Sequence, residues 1–156
     1  MSLIGRAPIH PVLFVIAKVA LVPPHVLLAW AALYASQGSL AFPRLAPVAL
    51  VAVVVGLAVA FAAIRHLGES VRVGLPDEPT EFREAGLYRV SRNPIYAGLF
   101  LSMIGSCALV PWWGNIASTL VAMALHHRIV LAEERFLDER FGAAWRSYRA
   151  RVRRYV

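Results

Sequence analysis

The stretch LAPVALVAVVVGLAVAFAAI, residues 45–64, decides the fold of this chain. It contains 20 consecutive residues without a charged side chain, and about 20 helical residues cross the hydrocarbon core of a bilayer. Ala52, Gly56 and Ala60 recur every four residues along it, and such a stripe of small side chains lets a neighbouring helix pack closely. The pattern predicts a transmembrane helix inside a bundle.

Three further apolar segments accompany this stretch, one before it and two after it. They cover residues 11–35, 94–111 and 113–131 and are long enough, or nearly so, to cross a membrane. The chain is 59% hydrophobic and only 16% charged, which is too apolar for an ordinary soluble domain. We therefore predict an all-α integral membrane protein, a single membrane domain over residues 1–156 with about four transmembrane helices, the last two forming a helical hairpin.

Polar residues interrupt the first of these predicted spans. Pro23 and Pro24 remove backbone donors, so we expect a kink there. Lys18 lies near one end of the segment and is expected to snorkel towards water. For His25, the preferred interpretation is a buried, hydrogen-bonded side chain, and the alternative is a residue lining a substrate path.

Basic residues outnumber acidic ones by 16 to 9, giving a net charge of +7. This excess would suit nucleic acid, but the basic residues flank the apolar segments instead of forming a soluble patch, so no nucleic-acid partner is expected. Most of them lie in the connection 65–93 and the tail 132–156, and the positive-inside rule places both in the cytoplasm. We predict a multi-pass protein of bacterial inner-membrane type, with both termini and the active site cytoplasmic.

The tail 132–156 has apolar residues at steps of three and four with arginines between them. This spacing predicts a basic amphipathic helix at the membrane surface, where it would bind membrane lipids. Gly142 weakens the helix midway and is expected to mark a bend. The small-residue stripes permit either packing within one chain or a homo-oligomer.

The run from Gly86 to Gly98 is the first of two clusters that could carry chemistry. Asn93 is a good helix cap and Pro94 fits the first helical position, so one interpretation is simply a helix start anchored in lipid head groups. The functional interpretation adds that a helix N-terminus beside Arg92 attracts an anionic group. Tyr88 and Tyr96 would then face a cation or stack on a base, and Gly98 would allow close approach.

Glu133 and Glu134 form the second cluster, directly after the last apolar segment. Adjacent helical residues point about 100° apart, so one carboxylate can face the bundle while the other meets solvent. The alternative is a solvated helix end in which these acids pair with Arg128, Arg135 or Arg140. Acids at the edge of a membrane span are rare enough to favour a ligand role for at least one of them.

His126 and His127 precede these acids, but their spacing does not match a metal-binding motif, and no cluster of cysteines or histidines completes a shell. We therefore predict no metal site. His127 is better interpreted as a polar wall of a cofactor pocket, and the lone Cys107 as a packing residue.

Together the two clusters resemble a known family. Gly86-x-Tyr88-Arg89-x-x-Arg92-Asn93-Pro94-x-Tyr96-x-Gly98 before the hairpin, and Glu133-Glu134-x-x-Leu137-x-x-x-Phe141-Gly142-x-x-Trp145-x-x-Tyr148 after it, are similar to the isoprenylcysteine carboxyl methyltransferase and phospholipid methyltransferase family.

The resemblance implies a membrane enzyme that binds S-adenosylmethionine from the cytosol and methylates a lipophilic acceptor, such as an isoprenylcysteine-type carboxylate or a similar lipid. It implies Arg92 and Glu134 as catalytic residues. The cofactor would be bound by Tyr88, Arg92, Asn93, Pro94, Tyr96, Gly98, His127, Glu133 and Glu134.

Two positions depart from the family pattern. The residue between Arg92 and Pro94 is often His in the family but is Asn93 here, and an amide cannot act as a titrating base near neutral pH. The Gly-x-Gly element of the phospholipid branch is replaced by Gly86-Leu87-Tyr88, which lowers the expectation of a phospholipid acceptor. If the acceptor is an amine, Glu133 or Glu134 is the nearest base.

Two other functions compete with methyl transfer. Membrane sterol reductases are similar across the hairpin and tail, and would use a nicotinamide cofactor. A non-catalytic membrane subunit that holds lipid or a partner through its arginine-rich tail is the second. If the two clusters come together in the fold, the methyltransferase is favoured. If they stay apart, the non-catalytic subunit is favoured.

Overall fold

A computed structural model describes residues 7–36, 46–67 and 84–155 of the chain. Within these ranges, 84% of the residues are helical and no strand is present, which confirms the predicted all-α class. Residues 37–45, with Arg44, and residues 68–83 of the predicted cytoplasmic connection lie outside the described part. The helices are α1 (Pro11–Val19), α2 (Val22–Ser36), α3 (Ala46–Leu67), α4 (Pro94–Leu109), α5 (Trp113–Phe141) and α6 (Ala143–Arg151), with a 3₁₀ turn at Gly86–Arg89 before α4.

Three stretches of the described chain are long and apolar enough to cross a membrane: Pro11–Tyr34, Ala46–Leu67 and Trp113–Phe141. Many large apolar side chains on them point outwards, as Val48, Val51 and Phe61 do on α3. Such a surface suits lipid and not water, so the chain is an integral membrane protein, as predicted. The third predicted span, residues 94–111, corresponds to α4, an apolar helix of only 16 residues.

The first predicted span is broken into α1 and α2, and the break lies just before the two prolines. Pro23 and Pro24 sit in the first turn of α2, where helical donors have no partner in any case. The Ala20 carbonyl has no helical donor, because Pro24 lacks an N–H group, and it accepts instead from Ser118 Oγ of α5 at 2.9 Å. Ser106 Oγ of α4 donates to Pro24 O at 2.7 Å and ties the beginning of α2 to α4.

The His25 side chain of α2 contacts Leu21, in the break, and Ser102, on α4. Its Nδ1 lies 2.7 Å from Leu21 O, and its Nε2 lies 3.1 Å from Ser102 Oγ on α4. The side chain also borders an apolar groove of about 640 Å³ between α2 and α3, which is lined mainly by alanines and leucines. His25 is therefore hydrogen-bonded but only partly buried, and its place on the groove leaves both interpretations of this residue as predictions.

α3 and α4 cross at their glycines. A Cβ added to Gly56 would lie 2.5 Å from Gly98 O, and one added to Gly98 would lie 2.4 Å from Gly56 O. Real side chains do not come this close to backbone atoms, so both positions require glycine. Gly105 on α4 comes similarly close to the backbone of Ala49 on α3. The small-residue stripes of the sequence thus form one contact between helices of the same chain.

α5 is a continuous helix of 29 residues that runs ten residues beyond 131, the predicted end of its span. It ends at Gly142, whose φ of +49° reverses the chain direction at the predicted bend. α6 then packs back with Trp145 and Tyr148 buried. The tail therefore consists of two helical parts on either side of Gly142, the second of which covers part of the bundle end, and its place at the membrane surface stays a prediction.

Candidate functional site

Arg92, Glu134 and Arg154 form an ion-pair network where α4 begins, in which the side chains of Arg92 and Glu134 are buried and that of Arg154 is 29% exposed. The Nε and Nη2 atoms of Arg92 both lie 3.1 Å from Glu134 Oε1. Arg154 approaches both carboxylate oxygens, with Nε 3.0 Å from Oε1 and Nη2 2.8 Å from Oε2. The side chains of Arg92 and Glu134 are only 8% and 7% exposed. Removing one member of such a network leaves an uncompensated buried charge.

The other half of the Arg92 guanidinium holds the C-terminal segment. Its Nη1 donates to Arg149 O and Val152 O, both at 3.1 Å, and the group lies 5.9 Å from the centre of the Trp145 ring. The guanidinium therefore connects the end of α5, through Glu134, with α6 and the residues after it.

Backbone hydrogen bonds fix the same segment against the start of α4. Arg92 N donates to Arg153 O at 2.9 Å and Asn93 N to Arg154 O at 3.1 Å, and Ser91 and Arg153 form an isolated parallel bridge. Asn93 is the helix cap residue and Pro94 the first helical residue, as predicted, but the Asn93 side chain makes no capping bond. Its amide nitrogen donates instead to Arg154 O at 3.3 Å.

Tyr88 and Tyr148 join the 3₁₀ turn to α6. The Tyr148 hydroxyl donates to Tyr88 O at 2.7 Å. Burial, and then the neighbouring Tyr148 and Glu133, raise the pKa of Tyr88 above its ordinary value. Burial likewise raises the pKa of Tyr148 to about 12. Both phenols are consequently neutral at physiological pH and offer hydrogen bonds and ring faces without negative charge.

Glu133 points to a different cluster, formed with Tyr96 and His126. The Tyr96 hydroxyl donates to Glu133 Oε1 at 3.5 Å, and the Tyr96 and His126 rings lie 5.3 Å apart. His126 is fully buried, and Glu133 is partly buried. The two adjacent acids thus face two parts of the protein: Glu134 meets the arginines, and Glu133 meets the aromatic residues.

His127 lies next to this cluster and contacts the last described residue. Its Nδ1 is 2.9 Å from the Tyr155 hydroxyl, and Tyr155 also lies 5.7 Å, between ring centres, from Phe100 on α4. Burial raises the pKa of Tyr155, so this phenol is protonated at neutral pH. The C-terminal segment therefore closes over α4 and α5 with an aromatic side chain.

Of the predicted site residues, the structure brings together Tyr88, Arg92, Asn93, Pro94, Tyr96, His127, Glu133 and Glu134 at one end of the bundle. Gly98 lies one turn further along α4. The space that a side chain would need at this position is filled by α3. Among the described residues, no group of three metal-ligating side chains is present.

The sequence pattern does not indicate Arg154 and Tyr155, which it places in a lipid-facing tail. It pairs the acids only with arginines nearby in sequence, although Glu134 meets Arg92 from 42 residues earlier and Arg154 from 20 residues later. One available signal was the pair Trp145 and Tyr148, because two large aromatic residues three apart on a short helix indicate a buried face. Lys18 was also missed as a neighbour of His126.

The comparisons with known proteins agree with the motifs. The model of the phospholipid methyltransferase family matches residues 45–144, which include both clusters but not Arg154 and Tyr155. No curated protein and no solved structure matches the chain. The family match spans well over half of the sequence, and the apolar helices are those of a membrane protein. The chain therefore belongs to the phospholipid methyltransferase family and is a membrane methyltransferase.

Proposed function

We propose that this protein transfers a methyl group from S-adenosylmethionine to a lipophilic acceptor at the membrane. The observation that carries the proposal is the meeting of the two sequence clusters, with Tyr96 3.5 Å from Glu133 and Arg92 3.1 Å from Glu134. Two clusters that stayed apart on the surface would have favoured a non-catalytic subunit.

The side chains at this end of the bundle fit the chemistry of the cofactor. A sulfonium and an ammonium need a carboxylate or an aromatic face, and Glu133 and Tyr96 supply both within one cluster. An adenine ring needs flat neighbours, for which Tyr88, His127 and Tyr155 are suited. When bound, the cofactor would supply a methyl group on cationic sulfur: a lone pair of the acceptor would form the new bond to the methyl carbon, while the carbon–sulfur bond breaks and its electron pair stays on sulfur.

In this proposal Arg92 and Glu134 hold other parts of the site in position. The donors of Arg92 are engaged by Glu134 and by two carbonyls of the C-terminal segment. Together with Asn93 and Pro94 they would hold the walls of the site in place and keep the segment with Tyr155 over it. Excluding water and aligning the reactants is what methyl transfer chiefly demands of a protein.

The acceptor is proposed to be a carboxylate of isoprenylcysteine type or a similar lipophilic group. A carboxylate already has a lone pair to offer and needs no base, which agrees with Asn93 standing where a histidine is common in the family. The distribution of arginines supports a cytoplasmic site, where the cofactor is made available.

Cofactor binding tests the proposal directly. The affinity of purified protein for S-adenosylmethionine and for S-adenosylhomocysteine, which lacks the positive charge on sulfur, is measured in detergent. We expect wild type to bind both, and Glu133→Gln to weaken S-adenosylmethionine about tenfold, because one charge-assisted contact contributes roughly 1.5–3 kcal/mol. The loss for S-adenosylhomocysteine should be smaller.

Glu139→Gln is the matched control, since Glu139 lies on the same helix but is exposed. It should leave both affinities unchanged. Equal losses for the two ligands in Glu133→Gln would assign Glu133 to the ammonium group instead of the sulfur. A wild-type protein that binds neither ligand contradicts the proposal, and tighter binding of NADPH would favour the reductase.

A further inference from the structure

Lys18 is a charged residue inside a predicted membrane span, and the structure turns it into the bundle. It lies on the last turn of α1, a helix that packs against α5. Its Nζ is 3.4 Å from His126 Nε2. A cation at this depth is costly unless it faces a partner, water or a ligand. Lys18 also lies outside residues 45–144, so the family match does not account for it.

His126 cannot neutralise this cation. Its Nδ1 lies 2.8 Å from Ala122 O, and a carbonyl only accepts hydrogen bonds, so Nδ1 carries the proton. Nε2 then presents its lone pair to the ammonium group of Lys18. His126 is therefore a neutral acceptor that fixes the position of Lys18 and leaves its charge in place.

The other contacts of Lys18 are aromatic. Its Nζ lies 5.0 Å from the centre of the Phe14 ring and 5.9 Å from that of Tyr96. Ring faces attract a cation but carry no net charge. Among the described residues no carboxylate oxygen lies within 4.0 Å of Lys18 Nζ, and Glu133 acts on it only from further away.

Lys18 and Glu133 consequently place opposite charges next to Tyr96, the first 5.9 Å from the ring centre and the second 3.5 Å from the hydroxyl. In the proposed function, Glu133 faces the cationic cofactor. An anionic group of the acceptor would find its partner in the ammonium of Lys18, whose other N–H groups have no hydrogen-bond partner within the described ranges. The reacting groups would then be held next to each other by the same aromatic ring.

We propose that Lys18 binds the anionic reacting group of the acceptor and selects a lipophilic carboxylate over a lipophilic amine. The inference rests on the proposed function and makes it more specific. A long-chain amine is protonated at neutral pH and would be repelled by Lys18. It would also have to lose a proton before it could accept a methyl group, whereas a carboxylate would not.

The test compares two probes that differ only in their head group, palmitate and hexadecylamine. Binding of each radiolabelled probe to the full chain in detergent is measured by scintillation proximity, with methyl transfer as a second readout. We expect wild type to prefer palmitate. Lys18→Met should weaken palmitate binding at least tenfold and raise its KM more than it lowers kcat, while Lys18→Arg should restore most of the binding.

Arg65→Met is the matched control, because Arg65 is also a cation over an aromatic ring, 5.8 Å from Phe61, but lies on α3. It should leave palmitate binding unchanged. The affinity of Lys18→Met for S-adenosylmethionine should stay within about twofold of wild type. Unchanged palmitate binding in Lys18→Met, or preference of wild type for hexadecylamine, overturns the inference. If the wild-type protein does not bind the cofactor, the proposed function is overturned instead.

Discussion

Two contacts of α4 are built on opposite principles. In the middle of the bundle α4 meets α3 through Gly98 and Gly56, where side chains are absent and backbones touch. At its beginning α4 is held by Arg92, Glu134 and Arg154, where long charged side chains meet with little exposure to solvent. The first contact depends on volume and the second on charge balance.

The difference follows from the surroundings. Lipid tails are as apolar as leucine, so helices inside a membrane gain by packing closely and not by leaving water. At the bundle end the α5 helix and the C-terminal segment bring charged groups that would be costly if buried singly. A substitution that is harmless at one contact should therefore be damaging at the other.

Glu134→Gln should have the largest effect. It removes the charge shared by Arg92 and Arg154, and breaking a buried ion pair in this way costs about 3 to 5 kcal/mol. The free energy of unfolding, measured in mixed micelles of dodecyl sulfate and dodecyl maltoside, should fall by that amount. Glu139→Gln on the same helix should cost little, and a loss below about 1 kcal/mol for Glu134→Gln would mean that the network does not hold this end together.

Gly98→Ala should have an intermediate effect. The added methyl group would lie 2.4 Å from Gly56 O, so α3 and α4 must move apart, and overpacking of this kind costs about 1 to 3 kcal/mol. The same unfolding measurement checks it. Val54→Ile adds a similar volume to the outward-facing side of α3, where space is free, and should be nearly neutral. Equal losses in the two variants would contradict the role given to the glycine contact.

Asp138→Asn should have the smallest effect. Asp138 pairs with Arg146 at 3.3 Å, but the two side chains are 39% and 65% exposed. Exposed pairs contribute about 0.2 to 1 kcal/mol and weaken in salt. The unfolding free energy should change by no more than that, and the change should shrink at high ionic strength. A loss as large as that of Glu134→Gln would show that burial does not separate the two ion pairs.

Much of the fold could be predicted because local rules determine it. The apolar stretch 45–64 fits a membrane helix by length alone, and the spacing of its small residues predicts a close helix contact. The position of the break before α2 was less predictable. Prolines favour the first turn of a helix, but whether a helix bends at them or restarts before them depends on which side chain, here Ser118, can hold the freed carbonyl.

Only those residues of the candidate site that lie within the two sequence motifs could be predicted. Glu133-Glu134 stand out because acids are rare at the edge of a membrane span, and Arg92 stands out because it directly precedes the helix start at Asn93-Pro94. Arg154 and Tyr155 could not be found in this way, because their partners are set by the path of the chain after Gly142 and not by sequence spacing. The same holds for Lys18, whose neighbour His126 lies 108 residues away.

The length of α5 relates the position of Glu133 to that of Trp113. Trp113 at its beginning is 74% exposed, and aromatic side chains of this kind settle at the boundary between lipid tails and water. Twenty residues separate Trp113 from Glu133, or about 30 Å of helix, which is the thickness of the hydrocarbon layer. This length would place Glu133 where the tails give way to head groups. Under the proposed function, an acceptor could be methylated without leaving the bilayer if its reacting group lies at that depth, and a thinner or thicker membrane should shift that group out of reach.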